Sequence, residues 1–162
     1  MKTSKVTLSC VFAAAACTAL CQSPAELTVQ GVSGKTVMLF AADLAKLPQK
    51  MVKTEDHGAP ATFEGVLLSD VLANIDLPTG EKFHATAASY YLLVEASDGY
   101  KAVFAWAELD PSFMDKAVYV VLRRDGKPLS DKTGPLQLVA PGEKRGARWV
   151  RQVKALRIKQ AN

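Results

Sequence analysis

The residues best equipped for chemistry lie near the C-terminus, in Pro141-Gly142-Glu143-Lys144-Arg145-Gly146-Ala147-Arg148-Trp149-Val150-Arg151. Four basic side chains sit close to two glycines and a tryptophan. Glycine permits positive φ and close backbone approach. Arginine grips phosphate or carboxylate through two parallel hydrogen bonds. Docking of an anionic ligand is one reading of this segment. The other is a charged surface loop leading into a last strand, with Trp149 anchored in the core.

The remaining polar clusters are weaker. Glu55-Asp56-His57 groups two carboxylates with an imidazole. Adjacent residues on an extended segment point to alternating faces, so a solvated loop before Gly58 is the favoured reading. His84, beside Phe83, reads as a surface residue of a linker. Glu108 and Asp110 straddle Leu109 before Pro111. Paired carboxylates can do acid–base work, but capping and turn roles suit this spacing better. Two histidines exclude a multi-histidine metal site. The chain has no GxSxG, HExxH, Walker A or GxGxxG motif. All three cysteines (Cys10, Cys17, Cys21) fall within the first 21 residues, so the rest of the chain carries no thiol.

Short β-prone segments divided by turns must position these groups. Glu26–Gln30 and Thr36–Phe40 alternate around Gly31-Val32-Ser33-Gly34 and read as a hairpin. Residues 41–47 read as a short helix that Pro48 ends. Lys50–Thr54 reads as a weak strand, Gly58-Ala59-Pro60 as a loop, and Ala61–Val66 as extended. Leu68, Val71, Leu72 and Ile75 fall at i, i+3, i+4 and i+7, one apolar stripe of a helix closed by Leu77-Pro78-Thr79-Gly80. Tyr90–Glu95 and Tyr100–Trp106 flank Asp98-Gly99, a strong hairpin signal. Their apolar content predicts a central strand pair buried on both faces, with Tyr90, Tyr91, Phe104 and Trp106 as core aromatics. Ala117–Leu122 reads as a buried strand before an Asp125-Gly126 turn, and Pro135–Ala140 as a short strand. Trp149–Ile158 is ambiguous in period, and a strand is favoured. The sum is an α+β domain: a mixed β-sheet with a few short helices.

The N-terminus reads as an export signal occupying residues 1–21. Lys2 and Lys5 form a basic start, Val6–Ala16 an apolar core, and Ala19-Leu20-Cys21 a small-residue cleavage site. The apolar run is shorter than the about 20 residues of a transmembrane helix. Lipid attachment through Cys17 or Cys21 is the competing reading. Residues 22–162 then form one domain, periplasmic or secreted, with no membrane span. Signal removal takes away Lys2 and Lys5 and no acid, which lowers the net charge from +4 to +2. Neither this charge nor the aromatic pattern suggests nucleic-acid binding.

The ordered motifs resemble the molybdopterin-binding domain of the sulfite-oxidase type, in a small stand-alone bacterial form. They are Phe63-Glu64-Gly65-Val66-Leu67-Leu68-Ser69-Asp70-Val71-Leu72, Ser97-Asp98-Gly99-Tyr100 and Asp125-Gly126-Lys127-Pro128-Leu129. Then follow Gly134-Pro135-Leu136-Gln137-Leu138-Val139-Ala140-Pro141-Gly142 and Arg148-Trp149-Val150. The resemblance runs from about Leu27 to Ile158. It implies a pterin phosphate held by basic side chains, and a molybdenum bound by pterin sulfurs and one protein cysteine. In that pattern the cysteine precedes the aromatic-X-Gly-Val motif by about ten residues. Here the window is Lys53-Thr54-Glu55-Asp56, without sulfur. The family's histidine is replaced by Thr133 and an arginine by Gln137. Arg148-Trp149 remains, with Lys144 and Arg145 nearby.

These departures point one way. Soft thiolate suits the metal, and each lost charge-assisted hydrogen bond is worth about 1.5–3 kcal/mol. Together they would weaken cofactor binding by several powers of ten. The expectation is a cofactor-free relative that binds an anionic small molecule or a redox or envelope protein partner. The alternative is a periplasmic molybdopterin-dependent oxidoreductase, or its cofactor-bearing subunit. Arg145 and Arg148 would then hold the phosphate, and Tyr100 or Trp106 would wall the pocket. An adhesive envelope module is a third class, marked by a large exposed apolar patch.

Overall fold

The computed structural model describes residues 25–73, 75 and 88–161. The export signal, His84 and the turn after Leu77 lie outside them. Glu26–Gln30 (β1) and Thr36–Phe40 (β2) pair antiparallel, with Glu26 opposite Phe40 and Gln30 opposite Thr36. Alternation buries Leu27 and Val29 while Met38 and Phe40 face solvent. The helix after β2 is shorter than its apolar pattern predicts: α1 spans Ala41–Leu44. The Asp43 carboxylate accepts the Phe40 amide at 3.1 Å, closing the first turn.

The weak strand is longer than expected. Gln49–Asp56 (β3) pairs with Ala59–Leu67 (β4), so the expected loop at residues 58–60 is a two-residue hairpin turn. His57 and Gly58 take φ of 52° and 82°. Positive φ at both central residues matches the right-handed twist of the strands. Pro60 lies in β4, which misleads a reading based on strand breakers.

β4 leads into α2 (Leu68–Leu72), which buries Leu68, Val71 and Leu72 as the apolar stripe predicts. Tyr90–Ala96 (β5) and Lys101–Ala105 (β6) form the hairpin around Asp98-Gly99. This pair is not buried on both faces. β6 is an edge strand whose residues alternate exposed and buried, and Trp106 starts a helix, α3 (Trp106–Leu109). Phe104 and Trp106 are core aromatics, while Tyr90 and Tyr91 are half-buried. Tyr119–Arg124 (β7), Lys127–Pro128 (β8), Gln137–Val139 (β9) and Val153–Gln160 (β10) complete the fold. The ambiguous C-terminal segment is thus a strand, starting four residues after Trp149.

Two five-stranded sheets result. One has the order β2-β1-β10-β5-β6, with β1 and β10 parallel. The other has the order β3-β4-β7-β8, with β9 also on β7. With the three short helices this is the expected α+β class. The main core is shared by both sheets and includes Leu27, Leu92, Phe104, Val120, Leu138 and Leu156. A smaller cluster lies on the other face of the second sheet, where Val52, Phe63, Val121 and Val139 meet Trp149. β7 therefore buries Val120 on one side and Val121 on the other, as a buried strand must.

Gly65 is required by this layering. A Cβ there would lie 2.1 Å from the Val120 carbonyl oxygen and 2.5 Å from the Val121 Cα. The β4–β7 register shifts at Glu64/Gly65, and only a residue without a side chain lets the strands approach so closely.

Candidate functional site

Three loops converge on the face of the smaller cluster: the His57-Gly58 turn, the Asp98-Gly99 turn and the segment 143–151. Trp149 fixes the last of these. Its ring meets Phe63 edge-on at 5.7 Å, and its indole N–H donates to the Ala140 carbonyl at 2.9 Å. Burial of the ring with its polar atom satisfied anchors the segment. Gly146–Arg148 forms a single 3-10 turn, and the Tyr100 hydroxyl donates to the Ala147 carbonyl at 2.6 Å. Gln152 holds the other end in a positive-φ conformation. Its amide donates to the Asp131 carbonyl at 2.7 Å, and its side-chain oxygen accepts from the Ser97 hydroxyl at 2.9 Å.

A cavity of 240 Å³ opens between these loops, walled by His57, Asp98, Tyr100, Gln137, Trp149 and Arg151. It adjoins a wider cleft of 530 Å³, which shares Asp56, His57, Gly146 and Trp149 and adds two carboxylates, Glu55 and Glu143, and two cations, Lys144 and Arg145. Asp56 is paired with Arg124 at 2.5 Å, and the Arg124 guanidinium lies 5.5 Å from the Phe63 ring centre. The Arg151 guanidinium reaches the His57 Nε2 at 3.4 Å. Arg145 lines this cleft.

Arg148 does not. Its Nη1 donates to both Glu108 carboxylate oxygens at 3.0 Å, and its Nη2 bonds the Glu143 carboxylate. Its guanidinium stacks 4.3 Å from the Phe104 ring centre. Lys116 adds a second cation to Glu143 at 2.7 Å. Burial pushes the Glu143 carboxyl up, but the hydrogen bonds from Lys116 and Arg148 outweigh it and hold it below its ordinary value. Burial likewise lowers the Arg148 guanidinium, and the Glu143 and Glu108 carboxylates more than restore it. The charge expected to grip a phosphate is spent inside the protein.

Other expected residues separate in the same way. Tyr100 walls the cavity, whereas Trp106 is buried in the main core beside a different hollow with Ile75 and Leu109. Thr133 bonds its own loop through the Ser130 carbonyl and hydroxyl. Glu108 accepts the Ala105 amide at 3.0 Å and Asp110 the Ser112 amide at 2.8 Å, the capping and turn roles their spacing predicts. Sequence reasoning weighed His57 and placed it in a solvated loop, and took Asp98 only as a turn residue, yet both wall the cavity. The signal for both was their place in tight turns, where loop residues carry function.

The fold and the motif order define a domain of the sulfite-oxidase molybdopterin-binding class. The oxidoreductase molybdopterin binding domain family matches residues 55–162, and the chain belongs to that family. The crystal structure of the sulfane dehydrogenase SoxCD from Paracoccus pantotrophus superposes with a TM-score of 0.63 at 20% identity. The match covers 85% of this chain and 38% of that one, so this chain spans well under half of its neighbour's length. No curated protein matches the chain in sequence. The first sheet includes β1 and β2, which precede the family match.

The residues at the cleft do not suit the family's cofactor. Its candidate metal donors are carboxylates and one imidazole; the described residues contain no cysteine. A carboxylate or imidazole would have to stand where the family pattern has a thiolate. Arg148 is closed by two carboxylates, and Gln137 brings a neutral amide where the pattern has a cation.

Proposed function

We propose that this chain is an exported, cofactor-free member of the family that binds a small anionic molecule in the cleft beside Trp149. The observation that carries this reading is the division of the cations. Arg148 and Lys116 are neutralised by Glu108 and Glu143. Lys144, Arg145 and Arg151 have no carboxylate partner among the described residues and stand around the cleft. Their field favours an anion, and a guanidinium offers it directed donors. A concave site of this size favours a small molecule over a flat protein surface. Molybdenum and pterin analysis of natively exported protein tests the absence of cofactor. Phosphate titration against Arg145→Gln and Arg151→Gln variants tests the anion site.

Family membership favours a second reading, a molybdopterin-dependent oxidoreductase or its cofactor-bearing subunit. Near-stoichiometric metal and pterin in the purified protein would establish it. Export rests on the pattern of residues 1–21, and no helix among the described residues is long and apolar enough to cross a membrane. Mass determination of the mature N-terminus would separate cleavage after Cys21 from lipid attachment at Cys17 or Cys21.

A further inference from the structure

The outward N–H and C=O groups of an edge strand invite another strand, and proteins guard them with charges, proline or caps. Most edges of the two sheets are guarded in this way. On β6 the Ala105 amide donates to the Glu108 carboxylate at 3.0 Å, the Val103 carbonyl accepts from Arg148 at 3.4 Å, and Lys101 adds a charge. β3 carries Lys50, Lys53 and Glu55. β8 is two residues long and ends in Pro128. On β9 the Leu138 amide donates to the Val150 carbonyl at 2.8 Å.

β2 differs. Its sequence, Thr36-Val37-Met38-Leu39-Phe40, holds no charge and no proline. The Gly31 amide donates to the Lys35 carbonyl and the Ala41 amide to the Ala25 carbonyl, so the odd-numbered residues of β2 bond to β1. Alternation in an antiparallel ladder then turns the main-chain groups of Thr36, Met38 and Phe40 outward. The Asp43 carboxylate takes the Phe40 amide at 3.1 Å. No described residue bonds the main-chain groups of Thr36 or Met38. The side chains match this open edge. Met38 and Phe40 are 50% and 47% exposed on one face, and Val37 and Leu39 are only half-buried on the other. A strand apolar on both faces suits the interior of a sheet.

We infer that β2 joins two copies of this chain edge to edge, antiparallel about a two-fold axis at Val37. Thr36 of one copy then lies opposite Met38 of the other, and each such pair exchanges both its N–H and C=O groups. An axis at Met38 would call on the Phe40 amide, which Asp43 holds. An axis at Thr36 would call on the Gly34 amide, which the Gly31 carbonyl holds at 3.1 Å. Lys35 precedes β2 and Asp43 follows it, so an antiparallel copy sets unlike charges near each other, where a parallel one would set like charges together. The contact is isologous and closes on itself. An edge of five residues buries less than the about 1,200 Å² of stable complexes, so the dimer is reversible and concentration-dependent. β2 lies outside the family match, and the contact does not depend on what the cleft binds.

Sedimentation of the full mature protein tests the dimer. The average mass should rise from one chain toward two over an about hundredfold rise in concentration. Met38→Lys puts a charge on the open edge and should hold the protein at one chain throughout, with the melting temperature of dilute protein unchanged. Val37→Cys tests the register. Residues 22–162 hold no thiol of their own, and two Val37 positions facing across the axis form a non-hydrogen-bonded pair, with Cα atoms about 4.5 Å apart, close enough for a disulfide. Mild oxidation should link Val37→Cys into a covalent dimer and leave Val103→Cys, on the guarded β6 edge, unlinked. A mass of one chain at every concentration would overturn the inference. So would a dimer that survives Met38→Lys, or a Val37→Cys protein that links no more than Val103→Cys.

Discussion

Arg148 and Glu108 lie forty residues apart and meet through two 3.0 Å hydrogen bonds from one guanidinium nitrogen. Glu143 closes the second nitrogen, and the Phe104 ring supports the guanidinium from one face. The pair ties the last loop to the β6 edge and to α3. The best preserved cation of the family motif is thus a structural group here.

Arg148→Ala should lower stability by about 2 kcal/mol. The figure is below the 3–5 kcal/mol for breaking a fully buried pair, because these side chains keep some contact with water. Arg148→Lys should recover little of it, since an ammonium cannot span both carboxylates or stack on the ring. Urea unfolding of the three proteins measures this. Phosphate affinity should not change in either variant.

The same cluster makes stability depend on pH. The folded Glu143 carboxyl titrates below its ordinary 4.5, so folding favours its ionised form. This contribution is complete above that ordinary value and is lost as pH falls through the lower, folded one. Thermal melts between pH 3 and 7 should show a falling melting temperature at the acid end, and Glu143→Gln should reduce the slope.

Gly65→Ala should destabilise the domain by about 3 kcal/mol or more, or prevent folding. Its Cβ would overlap backbone atoms of Val120, which cannot swing aside as a side chain would. Expression yield and melting temperature report the effect.

Tyr100→Phe should have a local effect. It removes the hydroxyl bond to Ala147, worth about 1 kcal/mol at most at this exposed position. Amide exchange at Ala147–Trp149 should speed up while the β-strands keep their protection.

Much of this molecule is legible in its sequence, and the misses have physical causes. The hairpin of β1 and β2 follows from strict alternation around Gly31 and Gly34. The buried faces of α2 follow from a 3.6-residue stripe. The β3–β4 turn does not, because His57 takes a positive φ more typical of asparagine or glycine. β6 carries as much apolar character as a central strand, and only its place in the sheet order reveals it as an edge. Arg145 stays exposed, since a cation in a glycine-flanked loop has few ways to bury itself. The pairing of Arg148 was not legible, because its partners Glu108, Glu143 and Phe104 are brought together only by tertiary packing. Gln137 stood out as a departure from the family pattern, but its place in the cavity wall became visible only in the folded chain.

The most direct test of the account is the molybdenum and pterin content of protein exported with its own signal in a host that makes the cofactor. Elemental analysis and pterin fluorescence on natively purified protein give the two numbers. The cofactor-free reading predicts that both are near zero per chain. About one metal and one pterin per chain would contradict it and identify a cofactor held without a cysteine.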